Sequence, residues 1–198
     1  MAEELKKFAE KVTGAGRPKA GEIGIRNRQP HAFAFADDGE TPNNPDLALV
    51  VYRSPVVLDS RLDPAAIFEE LFAAHGWEES WRDAMYDFNH FHSRAHECLG
   101  IARGKLTALF GGRKGRKIEL KAGDLVVIPA GVGHRCIRKS KDLLIVGAYP
   151  PNGGKYDEPK PGEIADAVVR DRIRKVPLPA TDPAYGENGP LFSIWRRH

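Results

Sequence analysis

Hydrophobic and polar positions along this chain follow two periods, and each marks a different part of it. From Met85 onward, short apolar runs are separated by glycine-rich turns: MYDFNHFH, ECLGIARG, KLTALFGG, KIELKAGD, LVVIPAG, HRCIR and LLIVGAYP. Many short β-prone runs with tight turns and no alternating helices predict an all-β sandwich or barrel. Upstream, HAFAFADDG alternates Phe33 and Phe35 with alanines as a strand does, DDGETPNNP is a turn-rich loop, and LALVVYR is a continuous β-prone run. Two stretches carry the helical period instead. Leu5, Phe8 and Val12 share a face of a short N-terminal helix over residues 3–12, which TGAGRPKAG then breaks. Ile67, Phe68, Leu71 and Phe72 share a face of a helix near 64–75, with Asp63 placed to cap it, Pro64 at its first position and Gly76 at its end. The dipole of that helix accounts for His75 in its last turn.

These elements divide the chain into an N-terminal extension, residues 1–29, and a single domain, residues 30–198. The tail KVPLPATDPAYGENGPLFSIWRRH has too many prolines for a central strand. It is expected to wrap the surface, anchored by Leu191, Phe192, Ile194 and Trp195. At 198 residues there is room for one full core.

Composition narrows the partners. The 41% hydrophobic and 29% charged fractions are those of a soluble globular protein. No apolar run is long enough to span a bilayer, and the N-terminus has no signal-peptide pattern, so a cytoplasmic location with no membrane partner is expected. Net charge is only +3. The one dense basic run, Arg113 to Lys117, reads as a solvated hairpin loop without interleaved aromatics, so no nucleic-acid partner is expected. The two cysteines, Cys98 and Cys136, form no C-x-x-C pair and no disulfide framework.

The chemistry lies in two segments. In HFHSRAHECLGIARG, residues two apart on a strand point the same way, so His90 and His92 can aim both imidazoles at one point. Glu97 can return on the next strand after SRA. In GDLVVIPAGVGHRCIR, turns at Gly123-Asp124 and at Pro129 to Gly131 can bring His134 across to them. Three neutral imidazoles and one carboxylate suit one divalent transition metal (Fe, Mn, Ni, Co or Zn), and a six-coordinate ion would keep two open positions. His96 precedes Glu97 in the strand and should face away from the site, unless it still lies in the turn. Tyr86 and Phe88 share the parity of His90 and His92 and are expected beside the metal. His96 and Tyr86 are the two candidates for a catalytic proton. The parity of Tyr149 cannot be fixed without a strand register.

These residues fit two motifs. His90, His92, Glu97 and Gly104 match HxH(x)4E(x)6G, and Gly123, Pro129, Gly131 and His134 match G(x)5PxG(x)2H. The chain therefore resembles the cupins. It departs from their fuller pattern at Ala84, where a glycine is usual, and at Arg138, where an asparagine is frequent; neither is a ligand position. Segments such as FADDGETPNNP, FGGRKG, GAYPPNG and KVPLPATDPAYGENGPL extend the resemblance, from residue 30 to the C-terminus, to the YjlB-type branch of bacterial cupins. The resemblance implies a double-stranded β-helix jelly roll with a metal between its sheets, and commonly a homodimer. The apolar face of the N-terminal helix and the aromatic end of the tail are candidate association surfaces.

The expected function is a metal-binding protein of this fold. The leading form is a metal-dependent enzyme of oxygenase, isomerase or decarboxylase type, with a small polar molecule as its ligand. The alternative is a non-catalytic metal or small-ligand binding protein.

Overall fold

The structure, a computed structural model, describes residues 16–151, 156–157 and 167–195. The proposed helix over residues 3–12 lies outside them.

Among the described residues, nine strands carry the fold: β1 (His31–Phe33), β2 (Leu49–Tyr52), β3 (Glu78–Asp83), β4 (Glu97–Arg103), β5 (Lys105–Phe110), β6 (Arg116–Lys121), β7 (Leu125–Ile128), β8 (His134–Lys139) and β9 (Leu144–Tyr149). The helices are α1 (Pro64–Ala74), α2 (Ala167–Lys175) and α3 (Leu191–Ile194). All strand pairs are antiparallel. They form a six-stranded sheet in the order β1-β2-β7-β4-β9-β3 and a three-stranded sheet in the order β6-β5-β8. This is a jelly roll, as the alternation of short strands and turns predicts.

Both faces of the four central strands of the larger sheet, β2, β7, β4 and β9, are buried, which explains why they read as continuous apolar runs rather than as alternations. Leu99, Ile101, Leu49, Val51, Val126 and Ile145 meet Leu106, Ala108, Phe110, Ile118 and Leu120 of the smaller sheet. On the reverse face, Cys98, Ala102, Val127, Val146 and Ala148 meet Ile67, Phe68, Leu71 and Phe72 of α1, together with Trp77, Leu191 and Trp195. Gly100 is the contact point: a Cβ there would lie 2.2 Å from the Phe68 ring, so only glycine lets α1 sit this close. The α1 N-terminus is as expected, with the Asp63 carboxylate accepting from Ala65 N at 3.1 Å and Pro64 in the first turn. His75 ends the helix and is held by more than the dipole: its Nδ1 lies 2.9 Å from the Pro183 carbonyl.

Four local expectations are corrected. MYDFNHFH is not a regular strand; it is an extended segment touching β8 and the turn before it, through Cys136 N to Tyr86 O, the His90–His134 bridge, and Gly131 N to His92 O. Only His31–Phe33 of HAFAFADDG pairs, at the edge of the large sheet. The tail does not leave its aromatic end open to a partner: Trp195 is 1% exposed and donates from Nε1 to Ala48 O at 2.8 Å. Helix α2 and strand β3 lie in stretches where no element was expected. Arg113 does lie in a short turn between β5 and β6, and its N–H donates to Asp38 Oδ2 at 2.7 Å.

Candidate metal centre

The jelly roll opens at one end into a cavity of about 210 Å³, lined by His90, His92, Glu97, His134, Tyr149 and the residues around Trp81 to Tyr86, with Tyr156 across them. Glu97 and His134 are the first residues of β4 and β8. Glu97 shares its parity with Leu99 and Ile101, so its carboxylate enters between the sheets while Cys98 faces α1. Gly131, at φ 89°, makes the turn that leads to His134, and its N–H holds the His92 carbonyl at 2.7 Å. Behind the two histidines, Phe91 is fully buried against Ala130, Val169, Ile173 and Val176, which fixes the segment from its outer side.

The ligand-capable atoms of His90, His92 and His134 all lie within 4.8 Å of one another. Glu97 Oε2 stands 3.4 Å from Nε2 of both His92 and His134. The outward nitrogens are oriented by backbone carbonyls: Nδ1 of His134 lies 3.0 Å from Val132 O, that of His92 2.5 Å from Asp157 O, and that of His90 3.4 Å from Phe88 O. A neutral imidazole that donates from Nδ1 keeps its lone pair on Nε2, so these contacts turn three lone pairs into the cavity.

Glu97 completes the set. Its Oε1 accepts from the Tyr149 hydroxyl at 2.8 Å, and that hydroxyl accepts from Trp81 Nε1 at 3.1 Å. Its Oε2 is buried without a hydrogen-bond partner. Burial alone would raise this carboxyl, but positive charge at the His92 and His134 positions outweighs it and holds the group below its ordinary range, the effect a bound cation would have there. Burial, with His134 and His92 adding to it, pushes His90 down to about 3, so its ring stays neutral and available as a ligand. A buried anionic oxygen facing three converging lone pairs fits a cation placed among them.

His96 lies on the other side of the strand, fully buried, with Nδ1 accepting from Ala130 N at 3.0 Å and its ring 4.8 Å from that of Trp195. Tyr86 lines the cavity mouth, 44% exposed, with its ring edge-on to His90 at 5.1 Å. Phe88 stacks on Tyr86 at 4.8 Å but lies outside the lining. Sequence reasoning missed Trp81, Tyr156 and Asp157. The Asp157 carboxylate accepts from Ser93 N and Oγ at 2.7 and 2.6 Å, so this residue braces the turn that follows His92 as well as the ring itself. No spacing rule links it to His92, which is 65 residues away.

A cupin domain model matches residues 84–146, which contain His90, His92, Glu97 and His134. The uncharacterized protein YjlB of Bacillus subtilis (strain 168) is 41% identical over 170 residues, covering 85% of this chain and 98% of its own. The chain belongs to the cupins, in the YjlB branch. Among solved structures it is similar to a TDP-fucose-3,4-ketoisomerase from Campylobacter jejuni, at 14% identity and a TM-score of 0.35, over 67% of this chain and 85% of that one. It is also similar to an acireductone dioxygenase from Bacillus anthracis with a cadmium ion in its active center, at 17% identity and a TM-score of 0.31, over 41% and 56%. The oxalate decarboxylase OxdC of Bacillus subtilis matches at 14% identity and a TM-score of 0.32, over 69% and 29%. This chain thus spans less than two thirds of the dioxygenase and of the decarboxylase, and none of the three likenesses bears on the reaction.

Proposed function

We propose that His90, His92, Glu97 and His134 bind one divalent transition metal, and that the chain is an enzyme acting on a small molecule admitted by the cavity beside them. The observation that carries this is Glu97 Oε2, buried without a hydrogen-bond partner and 3.4 Å from two imidazole nitrogens. A bound ion there would supply Lewis acidity and, if Fe or Mn, a redox partner.

The chain's own residues select the substrate. Arg82 borders the cavity, but its guanidinium is committed to Asp63 and to both oxygens of Glu69, at 2.7–2.8 Å. It is not presented to a substrate carboxylate. The remaining wall is chiefly Trp81, Met85, Tyr86, Leu99, Tyr149 and Tyr156, which favours a planar, weakly polar molecule such as a phenol or an enol. Burial, reinforced by the Glu97 charge, raises the Tyr149 hydroxyl, so it retains its proton and orients the carboxylate rather than acting as a base. Of the two candidates for a proton carrier, Tyr86 has reach to the cavity and His96 does not.

Chelator-stripped protein titrated with Mn, Fe, Co, Ni and Zn should take up one equivalent, and His90→Ala or His134→Ala should abolish this. Oxygen uptake or product formation is then followed on a panel of phenols, thiols and small acids. Absence of stoichiometric binding overturns the proposal. Binding without turnover of any member assigns the chain to the non-catalytic alternative.

A further inference from the structure

Strands β4 and β8 start in the metal cavity and run away from it. From His134 to Lys139 is five residues, about 17 Å at the usual strand rise. At that far end, between the edge of the large sheet and the small sheet, lies a second concavity of about 830 Å³. Its lining includes six cationic side chains, Arg28, Arg53, Lys105, Lys121, Arg138 and Lys139, and one carboxylate, Glu119.

The fold explains only part of this charge. Arg53 is paired with Asp124 at 2.9 Å, and Arg138 stands 3.9 Å from Glu119. Among the described residues, the side chains of Arg28, Lys105, Lys121 and Lys139 make no ion pair. Lys105 and Lys121 are direct cross-strand partners on β5 and β6, where like charges destabilise a ladder. The strands are held without them, by the buried pair Leu106 and Leu120 in the adjacent register. Uncompensated cations around a concavity are the recognition chemistry of phosphate, which arginine meets as a fork and lysine as a point charge. No Phe, Tyr or Trp lines the groove, and His31 is the one aromatic ring in its lining, so it offers little for a nucleobase to stack on.

We propose that this groove binds a small oligophosphate anion, recognised by its phosphate chain alone, at a site separate from the metal cavity. The ligand is either a free inorganic oligophosphate or the phosphate tail of a nucleotide. Metal-free full-length protein is titrated calorimetrically with tripolyphosphate, a nucleoside triphosphate and the bare nucleoside, without divalent cations and at about 0.15 M salt. Tripolyphosphate should bind saturably at one site, the nucleotide within about threefold of it, and the nucleoside not at all, since no Phe, Tyr or Trp surface adds to the phosphates. Affinity should fall as salt is raised. The Lys105→Gln, Lys121→Gln double variant should weaken binding by about tenfold or more through two lost charge-assisted contacts. Should that pair unfold, Arg138→Gln with Lys139→Gln serves the same purpose. His134→Ala should leave binding unchanged, which keeps this result independent of the metal proposal. No saturable binding, or equal affinity in the folded double variant, overturns it. Tighter binding of duplex nucleic acid than of tripolyphosphate also overturns it, in favour of a macromolecular partner.

Discussion

The Tyr149 hydroxyl donates to Glu97 Oε1 at 2.8 Å, leaving Oε2 as the oxygen that faces His92 and His134. The same hydroxyl accepts from Trp81 Nε1, so a chain of two hydrogen bonds from β3 through β9 orients a carboxylate on β4. A carboxylate free to rotate would present its two oxygens at random; this one is aimed.

Tyr149→Phe removes that aim while keeping the ring. Metal affinity should fall by about 10- to 100-fold, the usual effect of losing a partner that orients a ligand. The ring stack with Tyr156 at 4.6 Å remains available, so the fold should be little affected. Competition with a chromophoric chelator measures the affinity. An unchanged value would show that Glu97 is positioned by its backbone alone or does not ligate.

Gly147→Ala attacks the same chain from beneath. A Cβ at Gly147 would lie 2.1 Å from the Trp81 indole, which is spread over the glycine. The indole must move, at about 1–3 kcal/mol for overpacking, and the Trp81–Tyr149 bond should break with it. Urea denaturation should show the loss of stability, and Trp81 fluorescence should shift. Trp81→Phe in the Gly147 background should lose the hydrogen bond without the clash, separating the two effects. Stability of Gly147→Ala equal to that of the parent would contradict this packing.

Stability of the metal-free protein should depend on pH through His90. Its ring is neutral in the fold down to about 3, whereas in the unfolded chain it protonates near 6.5. Between those values the unfolded state holds the extra proton. Stability is therefore full above about pH 6.5 and falls as pH drops below it, by up to about 1.4 kcal/mol per pH unit for this one group. Denaturant midpoints at pH 7 and pH 5 should show the decline, and His90→Gln should flatten it. Saturating metal should steepen the decline, because protons then also compete for the ligands. A pH-independent midpoint in this range would contradict the neutral His90.

The convergence of His90, His92 and His134 was legible because its information is local: two residues apart for His90 and His92, and a fixed turn before His134. Tyr149 was not assignable, since its facing depends on the register of β9 against β3 and β4. That register contains a shift between Glu78 and Trp81 and another between Ile101 and Arg103. β3 itself reads as EESWRD, polar at most positions, with Glu79 at φ 51°, so neither periodicity nor propensity marks it. Helix α2, AVVRDRIRK, is mostly charged and buries just Val169 and Ile173, too few apolar positions to mark it as a core-facing helix. That Trp195 anchors the tail was expected from its composition; that its Nε1 donates to Ala48 O, 147 residues away, was not.

His96 tests whether strand parity alone can separate a cavity-facing residue from its neighbour. It adjoins Glu97, yet its Nδ1 accepts from Ala130 N and its ring packs on Trp195. The peptide after Ala130 begins Gly131, whose N–H braces the His92 carbonyl. His96 therefore supports the site through the turn, without touching it. His96→Gln, with an amide oxygen able to accept the Ala130 bond, should leave metal affinity within about threefold of the parent and turnover similarly unaffected. His96→Leu loses that acceptor and strands a buried N–H, which should cost about 1–3 kcal/mol of stability measured by urea denaturation. Trp195→Ala should cost more, about 3–5 kcal/mol, by emptying a fully buried site. If His96→Gln abolished turnover while retaining metal and stability, His96 would have a chemical role that this position on the reverse face of β4 does not provide.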